Sequence, residues 1–320
     1  MGLQPLLRGA GQVMFQGNWA TGLLFLIGIF WGAWTEGQIQ VGWGALVGLI
    51  VSTLTGYLLG LPKEEGQEGL WGFNGILVGC GVMTFLHPTP GAWVLLILGS
   101  AMTVWVRDGM NRMMAPWHVN SFTMPFVLTT WLLLAAARGL HALPIDGLPT
   151  PALPAEAALS HIDLHPFSLL SAWMCGIGQV FLINSWVTGL LFVIALWFSS
   201  GWAALWAMIG SAVAMLMAIL FEGSGISLHE GLYGFSAVLT AIALGCTFHK
   251  PSWRSALWSI VGIVMTLFIQ VAVNELLAPV GIPSLTFPFC LTTWLFLLPR
   301  LAIDSKQQPD HSQWHKRAKS

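Results

Sequence analysis

The side chains with chemistry to offer are few in this chain, and most come in pairs. Gln12 and Gln179, Phe73 and Phe235, Leu77 and Leu239, and Thr123 and Thr286 occupy matching places in two similar stretches of sequence. Phe15 stands three residues beyond Gln12. Glutamine and threonine supply uncharged oxygens that accept hydrogen bonds, and phenylalanine supplies a flat apolar face. Such a set suits holding a small, flat, neutral solute with N–H groups on its edges. No enzymatic reaction is expected and no cofactor is called for.

The elements that must position these residues are written twice. GAGQVMFQGNWATGLLF at 9–25 recurs as GIGQVFLINSWVTGLLF at 176–192, EGLWGF at 68–73 as EGLYGF at 230–235, and TMPFVLTTWLLL at 123–134 as TFPFCLTTWLFL at 286–297. Between the last two blocks Asn111, Ala115 and Pro116 find partners in Asn274, Ala278 and Pro279. Blocks in the same order at nearly constant shift mean two copies of one unit, with function expected where the copies meet.

Composition puts both copies in a membrane. Of 320 residues 56% are apolar and 8% charged, against roughly a quarter charged in soluble domains, and the mean hydropathy is +0.75. Eighteen Trp and eighteen Phe against two Tyr fit a protein wrapped in lipid, with indoles at the headgroups. No cleavable signal is expected, because Arg8 interrupts the first short apolar segment. Cys80, Cys175, Cys246 and Cys290 lack CxxC spacing and read as packing residues.

Residues 3–16 are too short to cross a hydrocarbon core that needs about 20 helical residues. They read as a half-helix dipping into the membrane and ending at Gly17-Asn18. Spans are expected at 19–35, 41–60, 70–87, 91–106 and 122–138. A polar, Pro-rich connector follows at 139–165. The second copy repeats the plan with a half-helix at 167–183 and spans at 186–200, 202–221, 231–248, 253–273 and 286–303, before a polar tail from Asp304. The membrane repeats are thus 1–138 and 166–303, the tail 304–320. The fold class expected is all-α integral membrane, with two inverted-topology repeats, each a re-entrant half-helix plus five transmembrane helices. An odd number of spans per copy inverts the second copy. Basic residues agree: with the N-terminus inside, all Lys and Arg but Arg138 fall on the cytoplasmic side.

A helix that ends inside a membrane leaves carbonyls unsatisfied unless it lines a cavity. Gln12 and Gln179 near those ends would add acceptors; the plainer alternative is that they tie helices together. Phe15, Phe73 and Phe235, with Leu77 and Leu239 one turn on, would wall a slot, or else only pack. Pro125 and Pro288 fit first helical turns, which puts Thr123 and Thr286 at N-caps; opposed across a pore, their hydroxyls would serve as acceptors. Thr129, Thr130, Thr292 and Thr293 are expected to bond to their own helix carbonyls. Glu68 and Glu230 precede their helices, where carboxylates suit the dipole. No charged residue falls in the middle of an expected span, which argues for a neutral solute moving passively. His161 and His165, at i and i+4, would share a helix face but lack a third metal ligand; His311 and His315 in the tail are weaker.

With these blocks in view, the chain resembles the urea transporter family, in its bacterial form, over essentially all of its membrane part. The resemblance implies a homotrimer in the cell membrane (a bacterial inner membrane), multi-pass, with both termini cytoplasmic and one channel-like pore per protomer between the inverted repeats. Urea would pass in single file along carbonyl and side-chain oxygens between phenylalanine slots. Carried over by position, Gln12, Phe15, Phe73, Leu77 and Thr123 form the first half of the filter, and Val180, Phe235, Leu239 and Thr286 much of the second. Gln179 stands where the bacterial pattern often has Glu, leaving that wall neutral, and Asn120 stands where the second copy has Pro283. The partners implied are urea, lipid and further copies of the chain, with no nucleic acid. Urea's N–H donors want acceptors along the edges and apolar walls over the faces, since a bare amide in an apolar medium loses several kcal/mol. Competing readings are a channel for other small neutral solutes (short amides, ammonia, water) and an ion-coupled secondary transporter.

Overall fold

The computed structural model describes residues 2–154 and 160–299. The expected tail, its histidines and the last residues of the second repeat lie outside the described residues. Fourteen α-helices make up the described architecture, and the regular pairing of extended chain there is one isolated bridge, Leu86 with Ile145.

The first copy comprises α1 (Leu3–Gln12), α2 (Trp19–Thr35), α3 (Ile39–Leu58), α4 (Lys63–Gln67), α5 (Phe73–Phe85), α6 (Pro90–Met114) and α7 (Met124–Arg138). The second comprises α8 (Pro166–Gly178), α9 (Trp186–Ser199), α10 (Gly201–Leu220), α11 (Gly225–His229), α12 (Phe235–Ile242), α13 (Trp253–Leu277) and α14 (Phe287–Leu297). The half-helices end earlier than the sequence suggests. α1 stops at Gln12 and α8 at Gly178, followed by a tighter turn over Gln179–Phe181. Phe15 (φ 62°) and Leu182 (φ 58°) then take the left-handed conformation that halts a helix. Asn18 and Ser185 cap the helices that follow, accepting from the amides of Ala20 (2.9 Å) and Thr188 (3.4 Å).

Each duplicated block has a packing reason. In the T-G-L-L-F block, Gly22 lies against the Leu7 carbonyl and Gly189 against that of Met174, so closely that a Cβ would clash with backbone oxygen. Glycine is what lets each half-helix cross the helix after it. The neighbouring threonines stitch the copies together: Thr21 donates to the Ala195 carbonyl (2.9 Å) and Thr188 to that of Gly28 (2.8 Å). In the E-G-L block, Gly69 (φ 82°) and Gly231 (φ 73°) turn the chain beneath the half-helices, against Gly9 and Gly176. Before α7 and α14, Asn111 and Asn274 accept from the amides of Ser121 (2.8 Å) and Ser284 (3.3 Å). Trp131 donates across to the Pro283 carbonyl and Trp294 to that of Asn120, both at 2.9 Å. Only a backbone oxygen is used at 120 and 283, which is why Asn in one copy can replace Pro in the other.

Four described helices are long and apolar enough to cross a membrane: Ile39–Leu58, Pro90–Trp117, Gly201–Leu220 and Trp253–Leu277. The pair Pro166–Phe181 and Trp186–Ser199, bent by 73°, makes a fifth if counted as one span. The segments expected as full spans at 70–87, 122–138, 231–248 and 286–303 begin as loops instead. α5 has 13 residues and α7 has 15, about 20 Å at 1.5 Å per residue, short of a hydrocarbon core of about 30 Å. Apolar composition survives in these loops because they are buried inside the protein and not against lipid. On the outside, Trp31, Trp34, Trp43, Trp197, Trp202 and Trp253 are exposed, as suits an apolar solvent.

A cavity and an aromatic seal between the two copies

Gln12 and Gln179 are anchored alike. Gln12 Nε2 donates to the Glu68 carbonyl at 2.8 Å and Gln179 Nε2 to that of Glu230 at 2.9 Å. The tie between half-helix and E-G-L loop is real, and among the described residues the acceptor oxygen of each amide takes no hydrogen bond. The carbonyls at the half-helix ends are less bare than expected. Those of Gly11 and Gln12 accept from Met14 (3.1 Å) and Phe15 (3.0 Å), and that of Gln179 from Leu182 (2.9 Å). The Gly11 carbonyl also accepts from the Gln16 amide (3.0 Å), so both of its lone pairs are used, while tightening of the last turn takes one lone pair of Gln12 and of Gln179.

Thr123 and Thr286, from the two copies, meet directly. Their hydroxyl oxygens are 2.6 Å apart, with Cys290 Sγ 3.3 Å from that of Thr123. Both stand at the N-cap positions of α7 and α14, with Pro125 and Pro288 in the first turn, yet neither side chain caps its helix. Each hydroxyl is spent on the other copy instead. Thr129, Thr130, Thr292 and Thr293 do not bond to their helix carbonyls as expected; their buried hydroxyls make no hydrogen bond to protein. The methyls of Thr129 and Thr130 lie over Gly99 and Gly81, so packing sets those rotamers.

On one side of the threonine pair lies a cavity of about 370 Å³. Gln179, Val180, Phe235 and Thr286 border it, joined by residues the sequence reading passed over, among them Asn184, Leu182, Leu285, Gln270 and Asn274. Phe85, Phe126 and Glu36 of the first copy, Glu230 of the second and Gly147 of the connector also line it. Leu239 is fully buried and does not border it.

On the other side, the equivalent positions carry a cluster of rings. Phe15 packs edge-on to Phe122 (6.4 Å), Phe248 (5.7 Å) and Phe289 (6.0 Å), and Phe122 lies 5.4 Å from Phe248 and 5.6 Å from Phe289. Phe15 and Phe122 correspond by repeat to Leu182 and Leu285 on the cavity wall. All four hold positive φ, Phe122 and Leu285 at 50° and 51°, a conformation costly for a residue with a Cβ and concentrated here where the copies meet. Leu77 is fully buried one turn beyond Phe73, itself 8% exposed.

Besides Glu36 and Glu230 at the cavity, charge enters beyond the expected span 91–106. α6 runs on to Met114, so Arg107 lies well inside it, 8% exposed. Its guanidinium pairs with Glu65 at 2.8 Å and stands 5.9 Å from the centre of the Phe73 ring. Glu68 and Glu230 do not serve helix N-termini as expected, because α5 and α12 begin at Phe73 and Phe235 with no acid in the first turn. His161 and His165 share no helix face. Both precede α8, and His165 Nδ1 caps it by accepting from the Phe167 amide at 3.4 Å. Among the described residues no three His, Cys, Asp or Glu side chains are grouped to hold a metal.

Apolar helices long enough to span, loops of apolar sequence buried between them and a lipid-suited exterior define a multi-pass α-helical membrane protein. The profile of the family described as Urea transporter matches residues 3–301. The chain is 31% identical over 300 residues to Urea transporter 1 of Ovis aries and 30% identical over 299 residues to Urea transporter 1 of Mus musculus, in each case over 92% of this chain and 76% of the relative. It is 29% identical over 306 residues to the Rattus norvegicus protein of the same name. The chain belongs to the urea transporter family, a family of transporters and not of enzymes.

Proposed function

We propose that this protein passes urea across the membrane passively, through the region where its two copies meet. The observation that carries the reading is the Thr123–Thr286 contact, with an acceptor-lined cavity leading to it. Urea is planar, uncharged and rich in N–H donors. In the cavity it meets the amide oxygens of Gln179, Asn184 and Asn274, with Val180 and Phe235 as apolar wall. At the narrow point the two hydroxyls open to accept its N–H groups, and Gln12, Phe15, Phe73 and Leu77 continue the route on the other side. Each step exchanges one set of weak hydrogen bonds for the next, so the solute is held and released. Leu239 backs Phe235 from behind.

The architecture proposed is of two inverted repeats, 1–138 and 166–303, joined by the connector 139–165. Reciprocal contacts support a two-fold relation, since Thr21 reaches Ala195 while Thr188 reaches Gly28, and Trp131 reaches Pro283 while Trp294 reaches Asn120. The placement of basic residues supports cytoplasmic termini in the cell membrane. We further propose a homotrimer in lipid, each protomer with its own route.

Stopped-flow flux in protein-containing liposomes tests the function, comparing urea with acetamide, ammonia and water, with and without a proton gradient. The proposal predicts fast urea flux that ignores the gradient. Flux that requires the gradient would replace it with coupled transport, and equal passage of all four solutes would replace it with an unselective neutral channel.

A further inference from the structure

Arg107 and Gln270 hold the same place in the two copies, 163 residues apart on α6 and α13. Gln270 is 2% exposed, borders the cavity and donates through Nε2 to the carbonyl of Leu232, three residues before Phe235. Arg107 is 8% exposed and pairs with Glu65 in the short helix leading to the E-G-L loop, while its guanidinium faces the Phe73 ring at 5.9 Å. In both copies, then, one polar side chain from the longest helix reaches the segment that presents the slot phenylalanine. The chemistry differs. Gln270 holds only the backbone behind Phe235, which remains half-buried at the cavity edge, whereas Arg107 bears on the ring of the buried Phe73 itself.

We propose that Arg107 is a positioning residue that sets the Phe73 ring, and thereby the width of the slot on the first copy's side. The face of a phenyl ring carries negative partial charge and attracts a guanidinium within about 6 Å, more strongly where water is excluded. The Glu65 carboxylate at 2.8 Å fixes the guanidinium from the other side, so the ring is held by a planar cation that is itself held. Burying this cation is tolerable because it is paired. The inference deepens the urea reading and rests on it.

The test measures urea and N-methylurea flux in liposomes for the full-length protein, Arg107→Gln, Arg107→Lys, and each combined with Phe73→Leu. Arg107→Gln copies the second repeat's residue and releases the ring, so passage of N-methylurea relative to urea rises roughly threefold to tenfold. Arg107→Lys keeps the charge and the Glu65 partner but not the planar face, and raises the ratio less. With Phe73→Leu already in place, neither substitution moves the ratio further, an outcome that a merely structural role for Arg107 would not produce. Ratios unchanged in Arg107→Gln and Arg107→Lys, or fully additive with Phe73→Leu, would overturn the proposal. If Arg107→Gln does not assemble, the lysine pair decides alone. Absence of urea flux in the unsubstituted protein would instead overturn the function on which it rests.

Discussion

The two sides of the Thr123–Thr286 pair are built from the same blocks and yet differ, one bordering a cavity and the other carrying a cluster of packed rings. Three matched positions carry the difference. Leu182 and Leu285 border the cavity where Phe15 and Phe122 carry packed rings, and Gln270 holds backbone where Arg107 holds a ring. The skeleton is common to both, with left-handed residues at the same points, glutamines tied to the same loop carbonyls and asparagines capping the same turns. Duplication thus conserved the framework, and side-chain size and charge on top of it set what each half presents.

The comparison breaks most visibly if the rings are exchanged for the second copy's residues. Phe15→Leu with Phe122→Leu should open a second cavity and relax discrimination against N-methylurea by about tenfold, equivalent to about 1.4 kcal/mol; the urea to N-methylurea flux ratio in liposomes reads it. An unchanged ratio would mean that the rings lie off the route. Next in size is the shared centre. Thr123→Val with Thr286→Val removes both hydroxyls at constant shape and should lower urea flux roughly threefold to tenfold, the worth of one or two hydrogen bonds, with yield of folded protein unaffected.

Gln12→Leu and Gln179→Leu sharpen the point further. Each leaves a loop carbonyl without its donor, costing about 1–3 kcal/mol, and thermal melts in detergent should fall by similar amounts for both. Flux should fall in both if each amide also faces the solute, whereas equal melting with unaltered flux would reduce them to ties. The smallest effect is expected outside the membrane halves. His165→Ala removes a cap worth about 0.5–1 kcal/mol and, with His161→Ala, should leave urea flux unchanged.

Much of this was legible in the residues because repetition separates signal from background. The paired glutamines, the threonine pair and the half-helices followed by breaks at Asn18 and Ser185 all announced themselves twice. What repetition hides is asymmetry: Phe122 matches Leu285 and Phe15 matches Leu182 in the alignment of the copies, so Phe15 stands out only by its spacing from Gln12, and Phe122 does not stand out at all. Apolar runs around the E-G-L and T-x-P-F blocks read as full spans, because hydropathy does not distinguish lipid-facing helix from loop buried in protein. Charge usually marks a helix end, and a span of 91–106 leaves Arg107 outside it; α6 continues past it, and Glu65 offsets its burial across a sequence separation no local pattern reveals. The rotamers of Thr129 and Thr130 are set against Gly99 and Gly81, which become their neighbours only in the fold.

The central claim is that solute moves through the cavity between the copies. Asn184 sits exposed on its wall, while Cys80, Cys175 and Cys290 are buried and Cys246 half-buried. Urea flux of the Asn184→Cys variant in liposomes, before and after a membrane-impermeant thiol reagent, therefore gives the most direct measurement. The account predicts that attaching a bulky group at this position blocks urea flux while the same reagent leaves the unsubstituted protein active. Complete labelling of the new cysteine with undiminished flux would place the route elsewhere and contradict it.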